Sequence, residues 1–151
     1  MTAAKPILLA EDNPRDAELA LAAMEEEHIA DKVVLCRDGA EALDYLYYRG
    51  PFKSRLKGNP SVVFLDLKMP KVNGLEVLRS IKADTNLRPI PVVMLTSSRE
   101  ESDLAESYAL GANAYVVKPV EFHRFVSAVK ELGMFWGVIN EPPPEGSCSS
   151  K

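Results

Sequence analysis

Acidic residues follow two apolar segments of the chain that have the composition of buried strands. Glu11 and Asp12 come directly after residues 6–10, and Asp66 follows residues 62–65. Carboxylates grouped at the ends of buried strands repel one another and lose solvation, so the fold needs something to compensate. Mg2+ is the simplest candidate, because this hard cation prefers carboxylate oxygen and brings its own positive charge. The pattern therefore predicts a Mg2+ site.

Two further apolar segments end in groups suited to phosphate. Residues 92–95 run into Thr96, and residues 114–117 run into Lys118. In open α/β sheets ligands bind beyond the carboxyl ends of the strands, so one pocket can gather these groups with the acids. Asp66 would attack a phosphoryl group to give an acyl phosphate, while the Thr96 hydroxyl and the Lys118 ammonium stabilise charge on its oxygens.

Strand-like and helix-like segments alternate along the chain. Five strand–helix units in series predict an α/β fold, a five-stranded parallel sheet flanked by five helices in a flavodoxin-like doubly wound arrangement. Pro14 suits the first turn of the first helix, and either Asp12 or Asn13 could cap it. The last helix would carry Phe122 and Phe125.

Composition narrows the class of protein. The 151 residues fit one domain, and the net charge of −4 gives no broad basic face for nucleic acid. No apolar stretch is long enough to span a bilayer, so no membrane contact is expected. The two cysteines form no metal or disulfide pattern, and a reducing cytoplasm is the default location. The basic cluster at residues 53–57 is expected to be a solvated loop.

Taken as an ordered set, these residues resemble the response-regulator receiver domains of two-component signalling. The resemblance covers about residues 5–132. It implies a protein that accepts a phosphoryl group on aspartate from a sensor histidine kinase, with Mg2+ bound. The matching stretches are residues 9–13, 64–70, 73–74, 95–97 and 117–119.

The resemblance assigns roles to the acidic residues. Asp66 would be the phosphoacceptor. Glu11, Asp12 and Asp66 would serve the metal, and Lys68 would contribute its backbone carbonyl. Both histidines lie on polar stretches with no ligand partners, so phosphohistidine must come from a partner.

The same resemblance assigns the groups on the later strands. Lys118 would pair with the phosphoryl group, and Thr96 and Tyr115 would form a switch pair in which the hydroxyl turns toward phosphate as the ring moves inward. Each residue alone has a simpler explanation, since a threonine can cap a strand and a tyrosine can pack in a core. Their order in one chain favours the functional interpretation.

An apolar segment follows the last helix. We expect a receiver domain at residues 1–140, with its core at about 5–132 and a C-terminal helix extension at 133–140, and a disordered tail at 141–151. The extension would either fold back over its own domain or pack against a second copy in a homodimer. The residues predicted for that interface are Phe122, Phe125, Phe135, Trp136, Val138 and Ile139.

The function predicted from the sequence is that of a single-domain response regulator that signals through protein contacts and has no independent substrate. It could also relay phosphate onward to another histidine protein. The long basic loop near Gly50 and the aromatic tail resemble the small receivers that serve phytochrome-type photoreceptor kinases. A metal-dependent phosphatase would normally need a second acid beside the nucleophile, whereas Lys68 follows Asp66 by two positions. A flavin or nucleotide binder would need a phosphate cradle in place of Glu11 and Asp12.

Overall fold

A computed structural model of the chain describes residues 6–26, 33–96, 106 and 109–117. Its strands form one parallel sheet in the order β2-β1-β3-β4-β5, which confirms the predicted doubly wound arrangement. Three of the five predicted helices lie in the described part. The strands are β1 Ile7–Ala10, β2 Val33–Cys36, β3 Val62–Asp66, β4 Val92–Thr96 and β5 Ala114–Val117, and the helices are α1 Pro14–Glu26, α2 Gly39–Leu46 and α3 Gly74–Ala83.

Helices cover both faces of the sheet. Val63 of β3 belongs to a buried apolar cluster that includes Leu78 of α3 and residues of α2. Ala17, Ala20 and Met24 of α1 are also buried but lie outside that cluster, which places α1 on the opposite face. This follows from right-handed crossovers, because β1 to β2 and β2 to β3 step in opposite directions along the sheet. None of the helices in the described residues is long and apolar enough to cross a membrane.

The register between neighbouring strands sets the height of the functional side chains. Ala10 of β1 pairs with Leu65 of β3, so the residues that follow them, Glu11 and Asp66, lie side by side at the carboxyl edge. The gap between β1 and β3 is also the point where the strand order reverses direction. Open α/β sheets bind their ligands at such a point.

The loop after α2 differs from the prediction that residues 53–57 are simply solvated. It begins with a 3-10 helix at Gly50–Phe52, and the guanidinium of Arg55 lies between two aromatic rings, 3.9 Å from the centroid of Tyr45 and 4.0 Å from that of Tyr48. Arg55 Nε also donates to the carbonyl oxygen of Tyr45 at 2.8 Å. The prediction is wrong for Arg55, because stacking on aromatic faces and hydrogen bonding replace part of its hydration.

Candidate functional site

The predicted acidic cluster is present at the carboxyl ends of β1 and β3. Glu11 and Asp66 are buried, with 1% and 5% of their surface exposed, whereas Asp12 is exposed. Each of the three offers a carboxylate oxygen, and these oxygens lie within 4.8 Å of one another. That spacing suits a small dication bound directly by one or two carboxylates, with others reached through its water ligands. The residues present therefore fit Mg2+.

The turn between β1 and α1 orients Glu11. The backbone N–H of Asn13 donates to Glu11 Oε2 at 3.2 Å, and the N–H of Glu11 itself donates to the Cys36 carbonyl at 2.9 Å. Asn13 Oδ1 in turn accepts from the N–H groups of Arg15 and Asp16, so Asn13 caps α1. Of the two caps that the sequence allowed, Asn13 is the one used, which leaves the carboxylate of Asp12 at the exposed side of the cluster.

The start of α3 holds Asp66 in place. A Cβ on Gly74 would overlap the carbonyl oxygen of Asp66 and would lie 2.9 Å from the Cα of Leu67, so only glycine permits this approach. The N–H of Gly74 donates to the Leu67 carbonyl at 2.8 Å. Asn73 caps the helix through a reciprocal capping box with Glu76. The Asn73 and Glu76 spacing is readable from the sequence, but the contact with Asp66 is not.

An open cleft adjoins the acids. It has a volume of about 440 Å³, and its lining combines the exposed acid with polar and apolar residues of the segment after β3. The cleft can admit a small phosphodonor or the side chain of a partner next to the acidic cluster. The lining residues are Asp12, Leu67, Lys68, Met69, Pro70, Asn73 and Leu75.

The backbone register brings the later strands to the same edge. Asp66 pairs with Leu95, so Thr96 lies one position farther along the neighbouring strand, and Thr96 pairs with Val117. Tyr115 of β5 pairs with Met94 of β4. The described part of the structure does not include the side chains of Thr96 and Tyr115.

Two groups of predicted site residues lie outside the described residues. The first is Lys118, which follows directly after β5 in the sequence. The second is the predicted dimer interface, Phe122, Phe125, Phe135, Trp136, Val138 and Ile139. The roles of these residues, and of the Thr96 and Tyr115 side chains, stay predictions from the sequence.

Comparison with known proteins identifies the family. A model of the response regulator receiver domain matches residues 7–130 of the chain. The chain belongs to this family. Receiver domains are phosphoacceptors that work with a histidine kinase, and their acidic pocket binds Mg2+ or Mn2+.

Similar receivers include several that are named for phytochrome signalling. The solved structure of the bacteriophytochrome response regulator RtBRR is 59% identical in sequence, with a TM-score of 0.82, over 97% of this chain and 89% of that one. The Mn2+-bound form of response regulator Rcp1 is 34% identical, with a TM-score of 0.75, over 93% of this chain and 99% of that one. FilR2 of Methanothrix harundinacea, named as a probable methanogenesis regulatory protein, is 41% identical over 138 residues, which are 91% of this receiver and 86% of FilR2.

Proposed function

We propose that this receiver accepts a phosphoryl group on Asp66 from a sensor histidine kinase, with Mg2+ held by Glu11, Asp12 and Asp66. The observation that carries the proposal is the meeting of these three carboxylates within 4.8 Å at the junction of β1 and β3. Bound Mg2+ would neutralise the cluster and offset charge on the phosphoryl oxygens. The Mn2+-bound Rcp1 structure supports a divalent cation in a similar fold.

Asp66 is the proposed nucleophile of this reaction. Asp66 is buried and its backbone is packed against Gly74, so its carboxylate is held at a fixed point of the acidic cluster. One Asp66 oxygen forms a bond to phosphorus as the bond from phosphorus to the histidine nitrogen breaks. The imidazole keeps that electron pair, and the product is an aspartyl phosphate. Lys118 and Thr96 are predicted to stabilise the phosphoryl oxygens.

Incubation with acetyl phosphate tests this proposal directly. We expect intact mass spectrometry to show one added phosphate with Mg2+ and none after chelation. Asp66→Asn should add none, and Glu18→Gln, which removes a charge from an exposed site on α1, should behave like the parent. Phosphate on the Asp66→Asn chain, or sustained turnover of a small phosphate ester by the parent, would contradict the proposal.

A phytochrome-type photoreceptor kinase is the partner that we propose. The support is the 59% identity to RtBRR, which exceeds the 41% identity to FilR2. Phosphotransfer from purified histidine kinases with and without a chromophore domain tests this choice, and we expect faster transfer from the chromophore-bearing kinase. Equal or slower transfer from that kinase would contradict it. Onward transfer to a histidine phosphotransfer protein and a cytoplasmic location stay predictions.

A further inference from the structure

The segment that follows Asp66 rests on the first residue of α2. This segment, the β3–α3 loop (residues 67–73), brings the Val72 backbone against Gly39. A Cβ on Gly39 would overlap the carbonyl oxygen of Val72 and would lie 2.7 Å from its carbonyl carbon. Rotation of a side chain cannot relieve this overlap, because the overlapping atoms belong to the Val72 backbone. The loop can therefore approach α2 this closely only with glycine at position 39.

A second link joins the same two segments. Asp38 Oδ1 accepts from the N–H of Glu41 at 2.8 Å and caps α2, while Asp38 Oδ2 lies 3.5 Å from Lys71 Nζ. Lys71 has a φ of 68°, which lies in the left-handed region that is sterically unfavourable for a lysine. The ion pair is weak by itself, since 70% of the Lys71 side chain is exposed. It lies, however, at the strained residue next to the Val72 contact.

We propose that Gly39 is a positioning residue for the metal site and that Asp38 assists it through Lys71. This inference rests on the proposed function. The β3–α3 loop is held at its start, where Gly74 contacts Asp66 and Leu67, and near its end, where Gly39 contacts Val72. Lys68, the predicted carbonyl ligand, lies between these two contacts in the sequence. Lifting Val72 off α2 would move the Lys68 carbonyl relative to Glu11 and Asp12, which belong to β1 and its turn. The reactive Asp66 carboxylate would stay in place.

Gly39→Ala tests the inference through the Mg2+ dependence of phosphorylation. We expect the Mg2+ concentration for half-maximal acetyl phosphate labelling to rise about tenfold, as for other residues that orient metal ligands. The rate at saturating Mg2+ should stay near that of the parent, because the nucleophile is unchanged. Gly50→Ala is the matched control, since it adds the same methyl at a left-handed glycine with a φ of 56° beyond the other end of α2. It should lose stability without changing the Mg2+ requirement.

Lys71→Asp provides a second test that does not add volume beside the loop. The change places a carboxylate opposite Asp38, and aspartate tolerates the left-handed region better than lysine does. Added negative charge alone would strengthen Mg2+ binding, whereas a displaced loop would weaken it. We expect weaker Mg2+ binding for Lys71→Asp, measured as a smaller rise in melting temperature on addition of Mg2+. Lys53→Asp, the same charge change on the exposed loop after α2, should show no weakening.

The outcomes separate the two proposals. A parent chain that takes no phosphate on Asp66 would overturn the proposed function. A parent that is labelled normally, together with folded Gly39→Ala and Lys71→Asp chains of unchanged Mg2+ requirement, would overturn only the positioning role. If Gly39→Ala does not fold, the Lys71→Asp result decides, and unchanged or tighter Mg2+ binding then overturns the inference.

Discussion

The backbone of Gly74 lies directly against the carbonyl oxygen of Asp66, so the start of α3 and the candidate phosphoacceptor form one packed unit. The unit is closed by the hydrogen bond from Gly74 N–H to the Leu67 carbonyl at 2.8 Å. The position of Asp66 therefore depends on the packing of α3.

We expect Gly74→Ala to lower the free energy of unfolding by about 1–3 kcal/mol, because a methyl group would be forced against backbone atoms. Phosphorylation should also slow, since relief of that overlap displaces Asp66. Gly58→Ala is the control for phosphorylation, because its φ of 136° costs stability too while its Cβ would meet nothing within 4 Å, so it should be labelled at the parental rate. Urea unfolding and acetyl phosphate labelling measure the two effects. Labelling of Gly74→Ala at the parental rate would show that Asp66 does not depend on this contact.

Removal of one acid should change the response of stability to Mg2+. Without metal, Asp12→Asn should be about 1 kcal/mol more stable than the parent, because one of three clustered like charges is gone. With Mg2+, the parent should gain thermal stability by mass action while Asp12→Asn gains little. Thermal unfolding at several Mg2+ concentrations checks both. Glu18→Gln should respond to Mg2+ as the parent does, and an equal Mg2+ response from Asp12→Asn would exclude Asp12 as a ligand.

Arg55→Ala should destabilise the chain by about 2–3 kcal/mol without slowing phosphorylation. The change removes two ring contacts and three hydrogen bonds, to the carbonyl oxygens of Tyr45, Leu56 and Gly58. Its loop leads into Ser61, whose N–H donates to the Pro6 carbonyl at the amino ends of the strands, opposite the acids. Chemical denaturation should show at most a small effect for Lys53→Ala, which is exposed. A similar loss of unfolding free energy in both variants would mean that the stacking of Arg55 contributes nothing to stability.

The Cys36 thiol should resist alkylation until the protein opens. Cys36 is fully buried, and burial, with a smaller contribution from the Glu41 carboxylate, raises the pKa of its thiol from 9.0 to about 12. The unfolded chain loses this proton first, so the thiol contributes stability below about pH 9 that is lost as pH rises toward 12. Urea unfolding across this range should show a shallower decline for Cys36→Ala. In a Cys148→Ser background, fast labelling without urea would contradict the burial.

The homodimer predicted from the sequence can be tested at Trp136. We expect light scattering to show a concentration-dependent dimer for the parent and a weaker dimer for Trp136→Ala, because a truncated aromatic anchor removes much of an interface's binding energy. Leu56→Ala is the control, since Leu56 is 89% exposed and apolar but belongs to a different segment. A parent that stays monomeric at all concentrations would exclude the homodimer and favour the alternative in which residues 133–140 fold back over their own domain.

Local patterns predicted most of the elements that carry the site. Short apolar runs located β5 to the residue and β1, β3 and β4 to within one residue, and Pro14 marked the start of α1, because strand composition and helix caps are local properties. The environment of Arg55 could not be predicted in this way. Its ring partners include Tyr45, ten residues earlier on α2, and only the path of the chain brings them together.

The sequence by itself determined which acids end which strands, and hence the kind of chemistry that the chain can perform. Tertiary structure decided that Glu11 and Asp66 are neighbours, because adjacency of β1 and β3 depends on the order in which strands join the sheet. It also decided the contact between Gly39 and Val72. Such contacts between distant residues depend on how helices pack over the sheet, and no local spacing in the chain encodes them.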